Sequence, residues 1–193
     1  MNAYFWTLKG HRAQNEDKHE ILINGNGNDK NYKNVNYYGV FDGHGGKEVS
    51  NFVGTEITKF FVQKNVAYPL KKSYVCKVFD NIQQKLKNAG IANHCGSTAL
   101  IVINYRYNKT NYLNIMNLGD SRCVLCRDNV AMPLTKDHKP EWPDEKYRIE
   151  KLGGVIQFDN PVWRIKDLSV SRAFGDIDAT PYVTHRPDLS RYE

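Results

Sequence analysis

Asp42 closes the apolar run Tyr38-Gly39-Val40-Phe41 and is followed by Gly43-His44-Gly45-Gly46. A carboxylate at a strand end, flanked by residues too small to obstruct it, can reach a cation, and the Gly43 carbonyl is a second hard oxygen donor. The pattern suits a Mg2+ or Mn2+ site with His44 poised beside it. It also suits a tight turn after a strand, and these five residues alone leave both readings open. Glu16 and Asp17 form a second acidic pair, following Arg12 and Asn15. Two carboxylates can hold the waters of a cation while a guanidinium grips a phosphate in its fork. A solvated charged loop is the plainer reading unless the pair meets Asp42 in space.

Three further acids stand in polar or glycine-containing stretches. Asp120, in Asn117-Leu118-Gly119-Asp120-Ser121-Arg122, is predicted to cap a β-turn through backbone hydrogen bonds. Asp137, in Leu134-Thr135-Lys136-Asp137-His138-Lys139-Pro140, has no local apolar partner and is expected either to face a cleft or to lie in an ordinary loop. Arg172 and Asp176, near the end of the segment Leu168 to Asp176, read as a buried pair. A fold-stabilising salt bridge is the favoured role there, with substrate contact the alternative for Arg172.

The elements that must position these groups follow from periodicity. Strands are predicted over Tyr4 to Leu8, Ile21 to Ile23 and Val35 to Phe41, with a turn or hairpin loop through the polar run Asn24 to Asn34. Val49, Phe52, Val53, Ile57, Phe60 and Phe61 recur mostly at intervals of three and four, which predicts a helix from Gly46 to Lys64. Val75, Val78, Phe79, Ile82 and Leu86 line a second, ending near Asn88. Four short apolar or β-branched runs (Thr98 to Tyr105, Tyr112 to Asn117, Arg122 to Arg127, Val130 to Leu134) read as an antiparallel meander. A helix from Pro143 to Leu152, stopped by Gly153-Gly154, precedes a hairpin of Val155 to Phe158 and Pro161 to Ile165. Helices set between groups of strands, without a strand-helix-strand rhythm, point to an α+β fold.

Composition excludes several classes. The 193 residues fit one domain, and 40% hydrophobic with 25% charged content is ordinary globular usage. The net charge of +6 comes from cations spread among acids and apolar residues, which argues against nucleic-acid binding and gives a mild positive field suited to phosphorylated substrates. No run approaches the ~20 apolar residues of a membrane span. Asn2 follows Met1, where N-myristoylation needs glycine, and no secretion signal is evident, so cytoplasmic or nuclear residence is expected. Cys123 and Cys126 have CxxC spacing but lie in a strand-like run on opposite faces; buried, reduced thiols are expected of the four cysteines.

The ordered motifs resemble those of the protein phosphatase 2C family of metal-dependent serine/threonine protein phosphatases. They are Arg12-Ala13-Gln14-Asn15-Glu16-Asp17, Tyr38 through Gly46, Gly96-Ser97-Thr98-Ala99, Asn117 through Arg122, Leu134 through Pro140, and Leu168 through Asp176. The resemblance implies a β-sandwich of two antiparallel sheets flanked by helices, a dinuclear Mg2+ or Mn2+ centre, phosphoprotein substrates and a monomer. It implies that Asp42 bridges two ions, Gly43 gives its carbonyl to one, and Glu16 and Asp17 hold coordinated waters. Arg12 would bind the phosphate, His44 would protonate the leaving serine or threonine oxygen, and Asp137 would serve a weaker third metal. The implied reaction is direct hydrolysis by a metal-activated water. In the family, a further strand ending in Asp-Gly and a later Asp-Asn pair follow the segment Tyr182 to Leu189, and their aspartates ligate metal. The sequence reaches Glu193 without them, and Asp188 is expected in the connecting segment before that strand. The resemblance therefore implies a domain over residues 1–193 that lacks its C-terminal strands. A fragment of a longer frame is expected to belong to an active phosphatase. A complete product is expected to be a catalytically impaired, phosphatase-like binding module.

Overall fold

The computed structural model describes residues 2–24 and 35–193. Beyond Asn24, the turn expected through Asn34 lies outside the described residues. In chain order the elements are β1 (Lys18–Leu22), β2 (Asn36–Phe41), β3 (Gly43–His44), α1 (Glu48–Val62), α2 (Lys72–Ala89), β4 (Gly96–Ser97), β5 (Ala99–Tyr107) and β6 (Thr110–Leu118). There follow β7 (Val124–Arg127), β8 (Val130–Pro133), α3 (Pro143–Lys151), β9 (Ile156–Asp159), β10 (Val162–Ile165), β11 (Phe174–Gly175), a 3-10 turn (Ile177–Ala179) and β12 (Asp188–Tyr192). The strands form a five-stranded sheet in the order β1-β2-β5-β6-β12, a three-stranded sheet β11-β4-β3, and the hairpins β7-β8 and β9-β10. Every one of these strand pairings is antiparallel. The fold is α+β, with antiparallel sheets and flanking helices, as the sequence predicts.

Period-2 alternation sets the main sheet. Tyr37 and Phe41 of β2 and Ile101 and Ile103 of β5 point to one face and are fully buried. The apolar stripes of α1 (Val49, Val53, Ile57, Phe61) and α2 (Val75, Val78, Phe79, Ile82, Leu86) join them in one core cluster. Burial of each such side chain contributes about 1.5–3 kcal/mol relative to exposure. This cluster holds β2 rigid up to Phe41, and Asp42 emerges directly from its end.

Three expectations are corrected. The four runs read as one meander divide, with β5 and β6 paired in the main sheet, β12 beside β6, and β7-β8 a separate hairpin. Residues Tyr4 to Leu8 pair with no strand; Tyr4 and Trp6 are 87% and 84% exposed, so the run lacks the burial its apolar composition suggests. Among the cysteines Cys126 is exposed, and Cys76, Cys95 and Cys123 are half-buried rather than buried; all four are free thiols. Among the described residues no helix is long and apolar enough to cross a membrane.

An ionic network fastens α3 to the strands around the site. Glu145, 4% exposed, accepts from Arg172 Nε at 2.9 Å and from Arg148 Nη2 at 2.8 Å. Arg172 also reaches Asp188 at 3.0 Å, and Asp188 reaches His138 Nε2 at 3.2 Å. Arg172 is ion-paired, and its partners are Glu145 and Asp188 rather than the expected Asp176. Asp188 opens β12 instead of lying in a connecting segment. Burial works to raise the Glu145 pKa, yet the hydrogen bonds and charges of Arg172 and Arg148 outweigh it and bring the group down to about 2. A folded-state pKa below the unfolded value stabilises the fold above the unfolded pKa, and that stabilisation is lost as pH falls toward the folded one. Urea unfolding from pH 7 to pH 2 is therefore expected to show wild-type stability falling below about pH 5, whereas Glu145→Gln, weaker at pH 7 by about 2 kcal/mol after allowance for screening, falls less steeply. Parallel pH profiles would contradict this role for Glu145.

Candidate functional site

Asp42 is clamped from both sides by one residue. Its N–H donates to Thr98 Oγ1 at 3.0 Å, and its carbonyl accepts from Thr98 N at 2.9 Å. The Thr98 and Ser121 hydroxyls lie 2.9 Å apart, tying this clamp to the loop that carries Asp120. Thr98 is 2% exposed, so the clamp works away from solvent. The Glu16 loop is fastened to the same point, because Ser50 Oγ on α1 donates to the Glu16 carbonyl at 2.5 Å. A Cβ on Gly43 would stand 2.5 Å from that carbonyl and 2.8 Å from Ser50 Oγ, so only glycine lets the loop approach β3. Asn15 Oδ1 accepts from Asp17 N at 3.0 Å and turns the acidic pair.

These fastenings open a cleft of about 630 Å3, lined among others by Arg12, Glu16, Asp17, Asp42, Gly43 and His44. Every residue that the resemblance assigns to phosphate, proton or principal metal handling is thus at one place. The Asp42 pKa is raised, first by burial and then by the charges of Asp17 and Asp120, with His44 and Arg12 acting in the opposite direction. Such crowding of carboxylates suits a hard divalent cation, which relieves their repulsion. Among the described residues no three acidic, histidine or cysteine side chains close into a single protein shell. The donor set therefore fits an ion that keeps several waters.

The outer acids exchange the roles read from sequence. Asp120 lines the cleft and is ion-paired with Lys139, so it is more than a turn cap. Asp137 is absent from the residues lining the cleft: its carboxylate takes Arg122 Nε at 2.9 Å and Nη2 at 2.8 Å. These hydrogen bonds, ahead of the opposing effect of burial, hold its pKa below the usual carboxylate range. A carboxylate occupied by a bidentate arginine has less capacity for a metal, which does not support the third-metal role expected of it. Asp176, expected to pair with Arg172, instead lies with Oδ2 2.7 Å from His44 Nε2. The His44 pKa is raised overall: burial acts to lower it, and the hydrogen bond and charge of Asp176 act more strongly the other way. Sequence reasoning misses Thr98 and Ser50 as site residues, although Thr98 lies within a motif quoted for the family resemblance, and it singles out Asp176 but gives it another partner.

Comparison with known proteins agrees with the family resemblance. The family model described as Protein phosphatase 2C matches residues 4–193. A PP2C-like domain-containing protein of Acanthamoeba polyphaga mimivirus is 54% identical over 91 residues, covering 44% of this chain and 51% of that protein. Probable protein phosphatase 2C 11 of Arabidopsis thaliana is 37% identical over 186 residues, covering 95% of this chain and 48% of the relative. The chain spans about half the length of these curated relatives. Among solved structures, a C. elegans sex determining protein superposes with a TM-score of 0.83 at 23% identity, over 96% of this chain and 46% of the other. A phosphatase from a pathogenic strain of Toxoplasma gondii gives 0.78 at 24% identity, over 95% and 69%. These two likenesses concern the fold.

Thr98→Val keeps the shape and the backbone bond to Asp42 but removes the acceptor of the Asp42 N–H. It is expected to lower unfolding stability by about 1–3 kcal/mol, the cost of stranding a buried donor, as read by urea denaturation. Unchanged stability would show that the clamp is dispensable.

Proposed function

The chain belongs to the protein phosphatase 2C family, and from that premise we propose that it forms the catalytic cleft of a Mg2+- or Mn2+-dependent phosphatase acting on phosphoserine and phosphothreonine in proteins. The supporting observation is the meeting of Arg12, Glu16, Asp17, Asp42, Gly43 and His44 at one open cleft, from stretches separated in sequence. Asp42 and the Gly43 carbonyl would hold two ions, with Glu16 and Asp17 binding the ions' waters. When bound, the ions would acidify the attacking water and offset negative charge on the phosphoryl oxygens.

The remaining work falls to side chains of the cleft. Arg12 takes the phosphate oxygens in its guanidinium fork and orients the ester. His44 gives a proton to the serine or threonine oxygen as the P–O bond breaks, because an alkoxide is a poor leaving group near neutral pH. Asp120, kept beside Lys139, adds carboxylate charge at the edge of the metal region. The openness of the cleft suits a phosphorylated side chain presented on a protein.

Phosphate release from a phosphothreonine peptide tests this directly. Turnover by the full-length protein is expected with Mn2+, is lost on chelation and returns with added ion. Asp42→Ala is expected to lower kcat on the order of 10²–10³-fold, and Arg12→Ala to raise KM roughly tenfold or more. Turnover that survives both chelation and Asp42→Ala would refute the proposal.

A further inference from the structure

We propose that Asp176 is the positioning residue for His44, fixing by one buried hydrogen bond which ring nitrogen the imidazole offers to the leaving oxygen. This rests on His44 being the proton donor of the proposed reaction, and it adds a residue 132 positions away in sequence. Asp176 is 3% exposed, and its Oδ2 lies 2.7 Å from His44 Nε2. A carboxylate oxygen accepts, so Nε2 carries the proton of this bond and Nδ1 is left as the nitrogen that works on substrate. Among the described residues no cation other than His44 is ion-paired with Asp176.

Several independent restraints hold Asp176 where it is. Its backbone is left-handed, φ 47° and ψ 45°, a conformation few non-glycine residues adopt and one associated with functional positions. Its N–H donates to the Cys95 carbonyl at 2.9 Å. The preceding Gly175 is gripped at both ends by the buried amide of Gln83 on α2: Nε2 donates to Gly175 O at 2.9 Å, and Gly175 N donates to Oε1 at 2.9 Å. On the opposite side of the pair stands Gly96, where any Cβ would collide with both Asp176 Oδ2 and His44 Nε2. The three short strands β3, β4 and β11 therefore bring one imidazole and one carboxylate into register. A glycine, a glutamine and a strained backbone that converge on one hydrogen bond are more than an isolated surface ion pair requires.

The geometry separates proton donation from everything else in the cleft, and leaving-group chemistry reads that separation. An alkoxide needs a proton, whereas p-nitrophenolate leaves without one. With Mn2+ present, Asp176→Asn is expected to lower kcat on a phosphothreonine peptide by about 100-fold, to change kcat on p-nitrophenyl phosphate less than about threefold, and to leave KM for both nearly unchanged. His44→Gln is expected to show the same selectivity, and the double variant to be no worse than His44→Gln alone. A His44→Gln variant with equal losses on both substrates would remove the proton-donor premise itself. Selectivity in His44→Gln without selectivity in Asp176→Asn would overturn the positioning role alone, as would equal losses on both substrates in Asp176→Asn. Nitrogen-15 NMR of histidine-labelled wild-type protein supplies a reading that needs neither turnover nor a folded variant. The neutral His44 ring is expected to carry its proton on Nε2; a proton on Nδ1 would overturn the proposal.

Discussion

Carboxylates at one cleft repel one another, and much of the architecture around Asp42 serves to hold them together regardless. Asp42 is exposed at the cleft, where desolvation first and then the charges of Asp17 and Asp120 raise its pKa. Left to themselves, such groups would swing toward water. They are kept in place through the backbone: Thr98 pins both polar groups of the Asp42 main chain, and Ser50 pins the carbonyl of Glu16. The helical core beneath β2 makes that pinning rigid, since Phe41, next in line to Asp42, is fully buried. Repulsion held in this way is relieved when a cation enters, which links the fold's stability to the chemistry proposed for it.

Cationic partners sort the remaining acids by function. Asp137 is taken by a bidentate arginine and does not line the cleft. Glu145 and Asp188 are spent on Arg172, Arg148 and His138, where they fasten α3 and β12 to the loops framing the cleft. Asp120 keeps a lysine at its side and remains on the cleft. The same side-chain type thus acts as a structural bolt or as a candidate ligand according to the partner that folding delivers.

That partner is what a linear sequence hides. The two long helices were legible because apolar residues at intervals of three and four leave one consistent stripe, and β2 was legible because its apolar run ends abruptly at Asp42. The run Tyr4 to Leu8 misled because apolar composition says nothing about whether a pairing edge is available. Strands of two residues, as in β3, β4 and β11, carry no period at all. Yet these strands unite His44 with Asp176 across Gly96. Reading Arg172 and Asp176 as a pair was the natural local inference, since the charges are opposite and four residues apart. The fold instead sends them to different partners, one to the ionic network and one to the imidazole. Arg12 and Glu16 likewise lie in a stretch without periodicity and meet Asp42 only in the folded cleft.

The account as a whole stands on Asp42 being the anchor for a divalent ion. Titration of Mn2+ into the protein, with free ion followed by electron paramagnetic resonance, measures this without any assay of turnover. Wild-type protein is expected to remove Mn2+ from solution, and Asp42→Asn, which has nearly the same shape without the charge, is expected to leave it free. Equal binding by the two proteins would contradict the account, because the ion would then be held somewhere other than the cleft that the rest of the structure is built to shape.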